Sequence, residues 1–149
     1  QCIAIEFARN VLGFADANSR EMDEKTPHNV IDIMEEQKAI TNMGGTMRLG
    51  AYECVLQKGS KVFEAYGQEH IQERHRHRYE LSSDYIEALD KAGMKATGRN
   101  AETGLVDIVE IPSHPWFVAV QFHPEYRSTV ENPHPLFVDF VRAAVKAKK

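Results

Sequence analysis

Cysteine is scarce: Cys2 and Cys54 are the two in 149 residues. Two cysteines this far apart build no disulfide framework, and a reducing cytoplasm is the expected compartment. Positive charge is not in excess either. The chain has 18 Lys and Arg against 22 Asp and Glu, a formal charge of −4, which argues against nucleic acid as the main partner. No apolar run approaches the roughly 20 residues a spanning helix needs, so no membrane partner is expected. No positive-then-apolar leader opens the chain, and nothing suggests secretion. Internal repeats and low-complexity stretches are absent. What is left, 42% hydrophobic and 27% charged residues, is ordinary for a globular chain with the length of one domain.

The chain also lacks a usual start. Gln1 stands where Met is expected, and residues 2–12 already read as the middle of a helix with no N-cap before them. The expectation is a chain cut short at its front. In that helix Ile3, Phe7 and Val11, with Ile5, Ala8 and Leu12, give a broad apolar face, and Gly13 is a plausible stop. Residues 15–29 read as a polar loop. Val30 to Met34 reads as a short helix after Thr26-Pro27. Met43-Gly44-Gly45-Thr46 reads as a turn, Arg48 to Leu56 as a strand, and Ser60 to Tyr66 as a short helix ended by Gly67. Residues 70–81 read as extended. Asp84 with Glu87 gives a capping-box pattern opening a helix that stops at Gly93. Met94–Thr97, Leu105–Ile111 and Trp116–Phe122 read as strands. The last helix follows Pro133 and Pro135, with a stripe of Leu136, Phe137, Phe140, Val141, Ala144 and Val145. The mixture is α/β or α+β.

The run Trp116 to Phe122 carries no charge and fits a strand covered on both faces. It ends in His123-Pro124-Glu125. If the chain stays extended there, side chains two apart point the same way, and His123 would sit beside Glu125. That is what a general base and its orienting carboxylate require. The bland alternative is a strand-end histidine before a proline turn.

The run Glu73-Arg74-His75-Arg76-His77-Arg78-Tyr79-Glu80 admits three readings. His75 and His77 alternate onto one face, as metal ligands could, but the arginines make that face cationic. A clamp for phosphate or carboxylate suits planar Arg forks better. The third reading is a solvated, charged edge strand. Gly44-Gly45-Thr46-Met47-Arg48 could approach an anion through backbone N–H groups but lacks phosphate-loop spacing. Cys2 sits on an apolar helix with no elbow turn before it, and Cys54 lies in a strand; both read as small buried hydrophobes.

Several separated stretches together resemble one family. They are Glu6–Asn10, Ala17–Glu21, Gly44–Gly50, Glu73–Glu80 and Gln121–Glu125, in this order. They look like the glutamine amidotransferase domain of CTP synthases. The closing His-Pro-Glu alone indicates only the wider class I amidotransferases; Gly44–Gly50 and Glu73–Glu80 are far more specific. The resemblance covers essentially the whole chain.

The resemblance implies an α/β class I amidotransferase sheet flanked by helices, with residues 1–149 as the C-terminal part of that domain and its front, with the synthase domain, missing. It implies glutamine hydrolysis by a Cys–His–Glu triad, with ammonia passing to a synthase domain that makes CTP from UTP using ATP and Mg2+. GTP as activator, a homotetramer and a cytoplasmic location come with it. No cofactor or metal is expected within the fragment itself. His123 matches the triad base and Glu125 its partner. Glu21 and Arg78 match the residues that hold the α-amino and carboxylate ends of L-glutamine. Gln1 matches the last position of the nucleophile motif G-x-C-x-G-x-Q, which also lines the glutamine pocket. The nucleophile would then lie upstream, and the fragment alone would be inert. The charges suit these roles: a zwitterion needs one anion and one cation. Two rivals stand beside this reading: another class I amidotransferase, and a catalytically dead amidotransferase-like binding module.

Overall fold

A computed structural model describes residues 1–33 and 47–148. The expected turn at Met43 to Thr46 lies outside the described residues, as does Met34. The chain forms two units, Gln1–Leu49 with Arg76–Gly93, and Gly50–His75 with Met94–Lys149.

In the first unit, helix α1 (Cys2–Asn10) buries Ala4, Phe7 and Ala8. Gly13 follows at φ 79°, a conformation glycine adopts without Cβ strain. A three-stranded sheet has the order β1 (Asn18–Ser19), β2 (Asn29–Ile33), β5 (Tyr79–Leu81). β2 corrects the helix expected at Val30–Met34. Its β-branched Val30, Ile31 and Ile33 pair antiparallel with β5, Ile31 opposite Leu81, and β2 runs parallel to β1. This non-local pairing outweighs the local helix-start signal of Pro27. Helix α3 (Ser83–Lys91) is preceded by Ser82 as N-cap, with no side-chain cap bond, so the Asp84–Glu87 capping box does not form.

The second unit is built on a five-stranded sheet ordered β4 (His70–His77), β3 (Arg48–Leu56), β6 (Lys95–Asn100), β7 (Val106–Glu110), β8 (Val118–Val120). The β3–β6, β6–β7 and β7–β8 pairs are antiparallel. Ladders of this kind need only short connections, and β6, β7 and β8 follow one another in quick succession. The unit boundary falls inside β3 and β4. Gly98 in β6 allows close approach to β7: a Cβ there would meet Ile108 at 2.6 Å. Helix α2 (Lys61–Tyr66) starts at Ser60, whose side chain accepts from Phe63 N–H, and stops at left-handed Gly67. The buried carboxylate of Glu110 accepts the Lys61 and Val62 N–H groups at 3.1 and 2.8 Å. It thereby satisfies two orphan donors of the first turn.

Helix α4 (Pro135–Ala147) follows His134. Cys54, Leu56, Val62, Ile71, Ile108, Phe122 and Leu136 make the core beneath α2 and α4. Of the apolar stripe expected on α4, Leu136 is buried, while Phe137, Phe140, Val141 and Val145 stay exposed among the described residues. Periodicity marks an apolar face without saying what covers it. β8 is likewise a correction. It spans three half-buried residues at the end of the sheet, not a long strand covered on both faces.

Candidate functional site

His123 stands at the junction of the β8 segment and a 3-10 helix, Pro124–Arg127. The chain therefore does not stay extended through His-Pro-Glu. Pro124 fixes a φ that suits the first position of a helix, and the backbone turns after His123. The turn nevertheless brings the two side chains together: His123 Nδ1 is 2.7 Å from Glu125 Oε1. An ionised carboxylate only accepts, so Nδ1 carries the hydrogen and a neutral ring presents a lone pair at Nε2. No hydrogen bond from the described residues reaches Nε2. The Glu125 carboxyl is held below its usual range, first by its own backbone N–H and then by His123. His123 N–H donates to Arg74 O at 2.9 Å, and the Arg127 guanidinium donates to Gln72 O. The Tyr126 ring lies 5.2 Å from the imidazole. The pair is thus oriented by its own turn and by β4.

Gln1, Glu21 and Arg78 belong to the first unit. Gln1 and Glu21 line one cavity of about 430 Å³ together with Glu6, Arg9, Asn18 and Ser19. Two of the family-like stretches, Glu6–Asn10 and Ala17–Glu21, form its walls, fastened by Arg9 Nε donating to Ala17 O at 2.7 Å. Glu21 sits on an exposed turn, its N–H donating to Ser19 Oγ at 3.2 Å. The Gln1 amide donates to Tyr79 O at 3.0 Å, beside Arg78 in the chain. Arg78 occupies the half-buried bend between β4 and β5 and is not among the residues of that cavity. Its Nε is buried without a hydrogen-bond partner among the described residues.

Cys2 corrects an expectation. It is exposed, whereas Cys54 is buried. Cys2 precedes Ala4 by two positions and so lies roughly opposite it on the helix wheel, away from the buried face. It lines the Gln1 cavity.

The Glu73–Glu80 run is not a fully solvated edge. Among the described residues no group of three or more His, Cys, Asp or Glu side chains could hold a metal. β4 ends its sheet, but Glu73 and His75 are buried at 1% and 2% exposure, while Arg74 and Arg76 face solvent. His75 Nε2 lies 3.9 Å from Asp107. In the first unit Glu80 Oε1 lies 3.3 Å from Arg48 and 3.2 Å from His77, all with little exposure. Two family-like stretches therefore meet in a buried ion pair.

Sequence reasoning missed His134. Its Nε2 is 2.9 Å from Glu73 Oε1, and its Nδ1 accepts Leu136 N–H at 3.3 Å. Its position just before Pro135, where helix N-caps sit, was the available signal.

Residues 1–143 match the family model of the class-I glutamine amidotransferases. The whole chain aligns with a CTP synthase of Bacteroides thetaiotaomicron at 76% identity and with one of Porphyromonas gingivalis at 61%. In both cases it spans 28% of the relative's length. Among solved structures, the glutaminase domain of Trypanosoma brucei CTPS with bound acivicin superposes with a TM-score of 0.90 at 40% identity. That match covers 98% of this chain and 57% of the other.

Proposed function

The chain belongs to the class-I glutamine amidotransferase family, and we propose that it is the glutamine-hydrolysing part of a CTP synthase, supplying ammonia for the conversion of UTP to CTP. The observation that carries the reading is the 2.7 Å bond from His123 Nδ1 to Glu125. It fixes the ring tautomer and turns Nε2 into a base, which is the arrangement a thiol nucleophile needs for activation. His123 takes the thiol proton, and the thiolate attacks the side-chain amide carbon of glutamine. The resulting imidazolium, stabilised by Glu125, returns the proton to the leaving ammonia. Glu21 holds the α-ammonium of the substrate, Arg78 holds its carboxylate, and Gln1 lines the side-chain pocket. The cavity beside Gln1 and Glu21 and the Arg78 Nε without a hydrogen-bond partner among the described residues support these assignments.

In this reading the nucleophile is the cysteine of the G-x-C-x-G-x-Q motif whose last position Gln1 matches. ATP and Mg2+ serve the synthase reaction outside these residues, and GTP acts as activator, in a cytoplasmic homotetramer. The test is His123→Ala in the complete protein. Glutamine-dependent activity should fall by about 10²- to 10⁴-fold, while synthesis driven by added ammonium persists. Undiminished glutamine hydrolysis would remove His123 from the chemistry. Equal loss with both nitrogen sources would make it structural.

A further inference from the structure

We propose that Glu73 is a positioning residue for the His123–Glu125 pair, an inference that rests on His123 being the general base. Among the described residues β4 is the last strand of its sheet, so one row of its backbone groups meets no described strand. The carbonyls of Gln72 and Arg74 instead hold the turn that carries the site: Arg74 O accepts from His123 N–H at 2.9 Å, and Gln72 O accepts from the Arg127 guanidinium. Glu73 lies between these two carbonyls, and strand alternation sends its side chain inward. There Oε1 accepts from Tyr66 O–H at 2.8 Å and from His134 Nε2–H at 2.9 Å.

The Tyr66 and His134 contacts are made at the ends of two helices. Tyr66 is the last residue of α2, and His134 is the N-cap of α4. His134 N–H donates in turn to Ser128 Oγ at 3.1 Å, and Ser128 is the residue that follows the 3-10 turn. The turn is thus held at His123 and Arg127 by the residues flanking Glu73, and just past its end through a histidine that Glu73 itself holds. One buried carboxylate oxygen sets both supports. It touches no reacting atom; its effect reaches Nε2 of His123 through the backbone.

Reaction rates fall steeply when a reacting group is misplaced by a fraction of the contact distance. Among the described residues Gln1, Glu21 and Arg78, assigned to glutamine binding, make no hydrogen bond to Glu73, Tyr66 or His134, so loosening the turn should reach kcat and spare KM. In the complete protein, Glu73→Ala should lower kcat for glutamine hydrolysis about tenfold or more, with KM changed by less than about twofold. Ammonium-driven synthesis should be unchanged. Glu73→Gln should recover kcat to within about threefold, since an amide oxygen accepts the same two hydrogens. Tyr66→Phe keeps the ring and the Glu73–His134 contact but removes the hydroxyl, which lies 2.8 Å from Glu73 and 3.1 Å from His134 Nε2, so it tests the idea even if Glu73→Ala does not fold; its kcat should fall about two- to fivefold at unchanged KM. An unchanged kcat in Tyr66→Phe overturns the proposal, as does a Glu73→Gln enzyme as impaired as Glu73→Ala. His123→Ala separates the premise: if that variant hydrolyses glutamine normally, the base assignment fails, whereas if it is dead and the Glu73 series is unaffected, only the positioning role fails.

Discussion

Two of the histidine–glutamate pairs in the second unit are of nearly equal length and opposite surroundings. His123 and Glu125 are 2.7 Å apart with side chains 38% and 55% exposed; His134 and Glu73 are 2.9 Å apart at 2% and 1%. In the first pair one imidazole nitrogen is bonded and the other is open to a substrate. In the second both nitrogens are committed, Nε2 to Glu73 and Nδ1 to Leu136 N–H. In the proposed reading the same two side chains make a base in one place and a rivet in the other. Neither residue type nor distance decides between them. What decides is whether the second nitrogen remains free and whether water and ligand can reach it. Burial also marks the rivet: next to Glu73, the Tyr66 hydroxyl is pushed far above its ordinary pKa, by desolvation first and by the nearby carboxylate second.

The largest difference between the pairs should appear in stability. His134→Ala removes a hydrogen bond to a buried carboxylate and the N-cap of α4, together about 2–4 kcal/mol. His123→Ala removes an exposed contact and should stay within about 0.5 kcal/mol of wild type. Urea denaturation of the two variants measures this directly. Comparable losses would mean that the exposed pair also holds the turn together, and the contrast between base and rivet would not stand.

A smaller effect is expected where the two pairs are joined. Ser128→Ala deletes the acceptor for His134 N–H and should cost about 0.5–1.5 kcal/mol. If the turn relies on that link, the midpoint of denaturation drops with the m-value unchanged. No drop would show that the Arg74 and Gln72 carbonyls suffice.

The sequence revealed these two pairs unequally, for a physical reason. His123 and Glu125 are two residues apart, and an apolar run ending in His-Pro-Glu draws attention to both. The proximity was legible although the backbone route was not, because Pro124 was taken to extend the chain when it starts a helical turn. Glu73 and His134 are separated by 61 positions, and nothing local marks one as the partner of the other. The same divide runs through the fold. β3 matches its expected bounds, Arg48–Leu56, and α2 its start at Ser60 and stop at Gly67, because period and caps are local. β2 was misread because its partners, at Ser19 and Leu81, are non-local. The apolar helix around Cys2 does not fix which way it faces; its angle relative to Ala4, Phe7 and Ala8 sets its exposure.

The smallest effect is a pH dependence confined to the exposed pair. The Glu125 carboxyl is shifted below its ordinary value of 4.5, chiefly by its own backbone N–H and then by His123. A depressed folded-state value means that the ionised form binds better in the folded protein than in the unfolded one. The resulting stability is fully present above pH 4.5 and drains away as pH falls through the lower folded value. Because the carboxylate is exposed, solvent screens most of it and the effect should be small. The comparison to make is wild type against Glu125→Gln, which keeps the shape and removes the titration. Wild type should be the more stable of the two near pH 6. The gap should narrow once pH drops below 4.5 and close when Glu125 is protonated in both states. A gap that does not change across this range would show that Glu125 acts on His123 by shape alone. The carboxylate charge would then be dispensable for holding the ring, and the exposed pair would differ from the buried one only in the access it gives to Nε2.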